Sequence, residues 1–511
     1  MAGRVQALEF VAPDVPAVSI LMSFGPRPLR ELLAALPAAE VVGDLDVLVA
    51  GITYRSADVR PGWLFFCVPG TRVDGHTFAG QAAATGAVAV VGERPPDVPA
   101  TVTQIVVPSV REAMGPVAAA FYGSPSEAML TVGITGTAGK TTSTYLLERV
   151  FLEAGLVPGV IGTTGVRVTG TKKAHDRTTP EAPDLQRYLA DMRDRGVTAM
   201  AMEVSSHGLH QHRVGGIRYD CAVFTNLSQD HLDYHGSMEE YFETKARLFT
   251  PAMAERAAVN HDSPEGRRLA EGSIPVLTYG LGQDADVRGE DVHVGPEGLR
   301  FRVGAIEVRS RLLGEANVSN CLAVLAAARQ VGIADDVTVR GIAALDAVPG
   351  RMEAVEAGQL FRVVIDYAHK PGGLENALRS ARPLAGGQRV ISVIGCGGDR
   401  DRGKRPVMGA VSARLADLTV LTSDNPRSEE PIAIIREMEP GARRGGGRYV
   451  VEADRRAAIR LALKEARPGD VVVIAGKGDE TGQEFADRTV PFDDRIVARE
   501  ELEALGLGAR G

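Results

Sequence analysis

Residues 133–142 read Gly-Ile-Thr-Gly-Thr-Ala-Gly-Lys-Thr-Thr, at the end of an apolar run that begins at Leu130. Gly136 and Gly139 let the backbone turn tightly, so that successive N–H groups point at one anion. A helix starting near Lys140 adds the positive end of its dipole. In such a loop, residues 136–142 cradle phosphates, Lys140 reaches the β/γ-phosphates and the Thr141 hydroxyl ligates magnesium. The standard spacing places glycine at position 134; here Ile134 follows Gly133. A Gly-Lys-Thr in an ordinary turn is the alternative, and the flanking strand and helix favour the nucleotide.

Polar residues follow two further apolar runs. Val197–Val204 leads into Glu203-Val-Ser-Ser-His207, and Cys221–Leu227 into Asn226-Leu-Ser-Gln-Asp-His231. Ligands of an open parallel sheet bind beyond the carboxyl ends of its strands, which puts Glu203 and His231 in reach of the phosphates and of Mg²⁺. Carboxylate is a natural magnesium ligand and imidazole an unusual one; a helix cap and a satisfied core histidine are the plainer alternatives. In Ser237–Thr250, Tyr241, Phe242, Leu248 and Phe249 recur at helical spacing, and Lys245 falls inside that stripe. A lysine there either snorkels to solvent or sits neutral and nucleophilic, able to take up CO₂ as an anionic carbamate beside metal ions.

Four later apolar runs each end in a polar signature: Phe361–Ile365 in Asp366-Tyr-Ala-His369, Val390–Ile394 in Gly395-Cys-Gly-Gly-Asp-Arg400, Leu418–Leu421 in Ser423-Asp-Asn-Pro-Arg427, and Val471–Ile474 in Gly476-Lys-Gly-Asp-Glu480. A parallel sheet gathers all four at one edge. Arg400 and Arg427 with Asp424 and Glu480 suit a zwitterion, guanidinium gripping carboxylate and carboxylate holding ammonium; salt bridges that staple loops are the alternative.

The elements that must position these groups are strands alternating with helical stretches, an α/β pattern with a mainly parallel sheet in the middle of the chain. Val47–Tyr54, Trp63–Val68 and Ala87–Val91 read as strands of a first block without a nucleophile–base pair. The expected domains are a loosely held extension over 1–22, a binding module over 23–129, the phosphate-loop block over 130–350 and a third block over 351–511. The 511 residues are 44% hydrophobic and 24% charged, with a formal net charge of −8. That balance argues against broad nucleic-acid binding and sets any anion pocket against a negative background. Cys67, Cys221, Cys321 and Cys396 form no CxxC pair and read as reduced thiols of a cytoplasmic protein. No run is as long as a membrane span.

Together these motifs resemble the Mur ligases, ATP-dependent enzymes that build the peptide stem of bacterial peptidoglycan. The likeness rests on Gly136–Thr142, Thr178-Thr-Pro-Glu181, Glu203–His207, Tyr241–Lys245, Asn317-Val-Ser-Asn320, Gly350-Arg-Met-Glu353 and Asp366–His369. It implies three α/β domains: an N-terminal uridine-binding domain, a central P-loop ATPase-type parallel sheet and a C-terminal Rossmann-like domain. It also implies a monomer that uses ATP and Mg²⁺ to join UDP-MurNAc-L-Ala-D-Glu to an amino acid. Asp424-Asn-Pro-Arg427 looks like the signature for meso-diaminopimelate rather than L-lysine, the lysine-adding ligase being the alternative.

By the same likeness, Tyr54, Ser56, Thr71, Arg72 and Val73 hold the UDP-sugar end. Thr178, Thr179, Ser205, Gln211 and Arg213 hold the MurNAc-dipeptide. Gly136, Thr137, Ala138, Gly139, Lys140, Thr141, Thr142, Asn317, Asn320, Arg351 and Asp366 lie on the ATP side. Arg400, Asp424, Asn425, Pro426, Arg427, Gly476 and Glu480 form the diaminopimelate pocket. Thr141, Glu203, His231 and Lys245, the last as carbamate, hold metal, and Lys140, His231 and Lys245 serve catalysis. The chain departs from the family pattern at Ala138 (usually Asn), at Arg55-Ser56-Ala57 (Asp-Ser-Arg), at Lys370 (Thr) and at Asp479 (His).

Overall fold

The computed structural model describes residues 25–507 except positions 37, 71, 72, 169, 174 and 176. The expected extension over 1–22 and the sugar-side candidates Thr71 and Arg72 lie outside the described residues. The chain divides after Val110 into two compact units.

The first unit holds a five-stranded sheet in the order Glu40–Val42, Thr103–Val106, Ala89–Gly92, Trp63–Phe66, Gly51–Thr53, parallel except for the first pair. The run 47–54 is broken in two, because Leu48–Val49 pairs with Arg27–Pro28 instead.

The second unit contains a nine-stranded sheet with Leu130–Thr135 at its middle, between Ala199–Glu203 and Tyr219–Phe224, all parallel. Ala254–Asn260, Val276–Gly280 and Val287–Arg288 extend one side; Pro158–Gly162, Gly165–Val168 and Thr171–Lys173 extend the other. Glu203 pairs with Ile134, and Phe224 with Thr135, so the polar residues after these strands emerge at one edge. The helix Lys140–Glu153 starts at that edge. Behind it lies the almost wholly buried helix Ala316–Gln330, whose Leu322, Val324 and Leu325 share a core with Val132, Leu147 and Phe151.

A six-stranded sheet follows, in the order Glu353–Ala354, Arg362–Asp366, Val471–Ala475, Val390–Ile394, Leu418–Leu421, Tyr449–Val451, parallel after the first strand. Asp366 and Ile394 both register with Ala475, and Ile394 with Leu421. The four signatures therefore share one edge, as their spacing predicts. No helix among the described residues is long and apolar enough to cross a membrane. The four cysteines are free and buried.

Arg455 and Asp494 form an ion pair with both side chains fully buried. Arg455 also donates to the carbonyls of Ser423 (3.1 Å) and Ala475 (3.2 Å), stitching two signature strands together. Removing one partner of such a pair strands a buried charge. Arg455→Met should destabilise this sheet by about 3–5 kcal/mol, seen as a lower denaturant midpoint. The double variant R455M/D494L should recover much of that loss.

Candidate active site

The phosphate loop is held open by its neighbours. Gly136 has φ +146° and Gly139 φ +88°, left-handed conformations that L side chains rarely adopt. A Cβ on Gly136 would collide with the Thr225 hydroxyl, and one on Gly139 with the Asn320 side chain. Asn226 grips Ala138 from both sides, accepting from its N–H (2.9 Å) and donating to its carbonyl (3.2 Å). Thr225 donates to the same carbonyl at 2.6 Å, and Thr137 N donates to the Asn226 carbonyl at 2.9 Å. Thr141 and Thr142 are buried in the first turn of the helix. Asn320, whose side chain stands against Gly139, donates to Asn317, which donates to the Leu313 carbonyl.

Two lysines converge here. Lys140 Nζ donates to the carbonyls of Gly136 (2.7 Å) and Thr137 (2.9 Å). Lys245 Nζ donates to the same Gly136 carbonyl at 2.9 Å and lies 4.5 Å from the centre of the Tyr241 ring. Lys245 is 1% exposed, so it does not snorkel. Burial, then repulsion by Lys140, drives its pKa well below the ordinary lysine value. Burial also lowers that of Lys140, against the pull of Glu203 and Asp230.

Glu203, 1% exposed, accepts from Thr163 N (2.9 Å) and Thr163 Oγ1 (3.1 Å). Those two bonds leave the carboxylate acceptor sites to spare, and carboxylate and hydroxyl oxygens such as those of Glu203 and Thr141 are of the donor type magnesium takes. Among the described residues no three His, Cys, Asp or Glu side chains cluster as a metal nest. The His231 ring faces Asp230 at 3.4 Å and the Lys370 ammonium at 3.3 Å.

The dipeptide candidates come together beside Glu203. Thr178 Oγ1 lies 3.1 Å from Thr163 Oγ1. Thr179 Oγ1 donates to the Glu203 carbonyl and accepts from Ser205 N. Arg213 donates to the Thr179 carbonyl (3.0 Å) and to Gln211 (2.6 Å). In the first unit, Tyr54, Ser56 and Val73 line an open cleft of about 330 Å³ with Arg55 and Phe78. His76 fixes its rim: Nε2 accepts from Glu93 N, so Nδ1 carries the proton and donates to Asp74 at 2.7 Å.

Asp366 accepts from the N–H groups of Met352 and Ala368, both at 2.9 Å, and Arg351 stacks on Tyr367 at 4.3 Å. Burial raises the Asp366 carboxyl against the pull of Arg351. At the same sheet edge Asn425 donates to Glu480 at 2.9 Å, and the wholly buried Lys477 donates to Asn425 (2.8 Å) and Glu480 (3.2 Å). Gly476, at φ +123°, leaves room for Asp424. Arg427 and Arg400 flank Gly397, their Nη1 and Cγ lying 3.0 and 3.6 Å from where a Cβ would stand. Arg427 pairs with Glu484 at 2.8 Å and donates to the Gly398 carbonyl at 3.0 Å. The Pro426 carbonyl packs where a Gly398 side chain would go.

Three family models match in sequence: the Mur ligase family catalytic domain over 48–122, the Mur ligase middle domain over 134–328, and the Mur ligase glutamate ligase domain over 350–478. A relative from Geobacillus thermodenitrificans named UDP-N-acetylmuramoyl-L-alanyl-D-glutamate–2,6-diaminopimelate ligase is 46% identical over 483 residues, covering 92% of this chain and 98% of its own. The chain belongs to the Mur ligase family. A Streptomyces avermitilis relative of the same name is 46% identical over 500 residues, covering 94% and 98%. A solved structure with that name is similar at TM-score 0.69 and 34% identity, covering 93% of this chain and 99% of its own. MurF ligase from Thermotoga maritima, solved with ADP, shares the fold at TM-score 0.58 and 19% identity, covering 89% and 97%.

Sequence reasoning missed Asn226, Asp230, Lys370 and Lys477 as members of these clusters. Asn226 and Asp230 stood in the polar run before His231, and Lys477 stood between two glycines at a strand end. Their partners lie 88, 140 and 52 positions away, beyond what local pattern reveals.

His369 gives this edge a pH dependence. Its Nδ1–H donates to the Tyr367 carbonyl at 2.8 Å, and burial lowers its pKa from 6.5 to about 4. Between those values the unfolded chain binds a proton that the folded chain refuses, so this contribution to stability is lost as pH falls through the window. Relative to His369→Asn, the wild type should lose more thermal stability between pH 6.5 and about 4, read by melting temperature against pH.

Proposed function

We propose that this protein joins meso-diaminopimelate to the γ-carboxylate of the D-glutamate in UDP-MurNAc-L-Ala-D-Glu, using ATP. The observation that carries the reading is the identity of 46% with a ligase so named, over nearly the whole of both chains. A phosphate loop at one sheet edge and a pocket of paired guanidinium and carboxylate groups at another support it. The blocks 23–129, 130–350 and 351–511 serve as the sugar-nucleotide, ATPase and amino-acid domains.

A carboxylate is a poor electrophile, because direct attack by an amine would have to expel oxide. The γ-carboxylate oxygen instead attacks the γ-phosphorus of ATP, the bond to ADP breaks, and an acyl phosphate forms. The amine at the L-centre of diaminopimelate then attacks the acyl carbon and phosphate leaves. The protein positions the reactants and neutralises charge. Lys140 turns from the loop carbonyls to the transferring phosphoryl group, and the N–H groups of residues 136–141 cradle the phosphates. Thr141 and Glu203 would hold Mg²⁺, which when bound offsets negative charge on the phosphates.

Burial and the neighbouring Lys140 lower the Lys245 pKa, which favours the nucleophilic amine form; that amine takes up CO₂, its nitrogen bonding to the carbon as a proton leaves. The carbamate oxygens, with His231, would then ligate a second ion, and their negative charge would attract Lys140. Lys245→Ala should nearly abolish turnover, and added short carboxylates should restore part of it. Wild-type activity in that variant would rule the role out.

Arg427 grips the remote carboxylate of diaminopimelate, which lysine lacks. A site built for that group penalises lysine by several kcal/mol, on the order of 10⁴-fold. In assays with ATP, Mg²⁺ and UDP-MurNAc-dipeptide, phosphate and tripeptide should appear with diaminopimelate and not with L-lysine. Arg427→Ala should lose most of that preference. Tripeptide formation with lysine alone would overturn the substrate assignment.

A further inference from the structure

An ion pair links the two sheet edges. Lys370 follows the strand Arg362–Asp366 of the six-stranded sheet, and Asp230 follows the strand Tyr219–Phe224 of the nine-stranded sheet. Lys370 Nζ stands 2.7 Å from both oxygens of Asp230 and 3.3 Å from His231 Nε2. The Asp230 carboxylate is 13% exposed and also accepts from the backbone N–H of His231 at 2.9 Å. His231 sits at φ 54°, a left-handed conformation uncommon for a residue with a β-carbon. A strained turn of this kind persists only where its surroundings hold it, and Asp230 and Lys370 are among the groups packed on it. Both also act electrostatically on Lys140 and Lys245, which places the pair beside the phosphate loop.

A second, weaker contact runs in the same direction. Lys172, on the edge strand Thr171–Lys173, lies 3.9 Å from Asp479 in the 476–480 loop. Lys172 is half exposed, and pairs of that kind contribute little by themselves. Lys370 and Asp479 are two of the positions at which the chain departs from the family pattern.

We propose that Lys370 is a positioning residue for the ligation. Through Asp230 it fixes the His231 turn beside Lys140, and it registers the amine-binding edge against the phosphate loop. The inference rests on the ligase reading above. An acyl phosphate formed at one sheet edge must meet an amine held at another, and a misplacement of about 1 Å costs on the order of a hundredfold in rate.

The test compares the full-length wild type with K370M, K370R, D230N and K370M/D230N. It measures tripeptide formation (kcat, and KM for each substrate), ATP affinity by equilibrium binding, and melting temperature. K370M should lose about tenfold or more in kcat, with ATP affinity and melting temperature close to wild type. K370R, which keeps a two-pronged donor, should recover most of the rate. The double variant should be no slower than the slower single, because the two residues act as a unit. An unchanged kcat in K370M would overturn the inference. So would losses that multiply in the double variant, or a fall in rate that tracks melting temperature and that arginine does not rescue. A wild type that forms no tripeptide would overturn the ligase reading and this inference with it; an active wild type with an equally active K370M would overturn the inference alone.

Discussion

Two lysine amino groups meet at the carbonyl oxygen of Gly136, and the electrostatics of the site depend on that meeting. Lys140 reaches it from the first turn of its own helix, and Lys245 from a helix 109 positions downstream. Like charges at such a distance, away from water, disfavour each other's protonation. An incoming triphosphate would draw Lys140 away. A carbamate on Lys245 would place an anion beside Lys140, and either event would ease the repulsion. The glycine matters as much as the lysines, because only a residue without a side chain leaves Thr225 and Asn226 room to hold the loop open.

The second edge is built on the same economy of charge. Lys477 is buried, and its proton donors are shared by Asn425 and Glu480. That leaves Glu480 oriented by two neighbours while it remains partly exposed. Arg427 is oriented by Glu484 and the Gly398 carbonyl. Behind both stands the Arg455–Asp494 pair, which ties the strand ends together from the interior. Glu480 is thus backed by a buried group of opposite sign, whereas the acidic partner of Arg427 is half exposed.

Much of this was legible in the chain. The apolar runs ending at Thr135, Glu203, Phe224, Asp366, Ile394, Leu421 and Ala475 are strands, because a strand buried on both faces reads as a continuous apolar stretch. The strands Pro158–Gly162 and Val276–Gly280 and the meander over 290–310 carried no comparable signal, being short, glycine-containing or half exposed. Lys245 was the instructive residue. Periodicity placed it in an apolar stripe and left two fates open, and only the packing of Tyr241 and the loop around it decided that it is buried.

Residue type and spacing alone determined that a glycine-rich turn joins a strand to a helix, that further strand ends carry polar signatures, and that cationic and anionic groups share the later ones. Those features are local: a glycine's backbone freedom, a strand's alternation and a helix's first turn act over a few residues. Tertiary structure decided which of these groups touch. Lys370 on Asp230, Lys477 on Asn425 and Asn226 on Ala138 join segments 140, 52 and 88 positions apart. Such contacts follow from the order and register in which strands pair, and a linear pattern of residue types carries no record of that order.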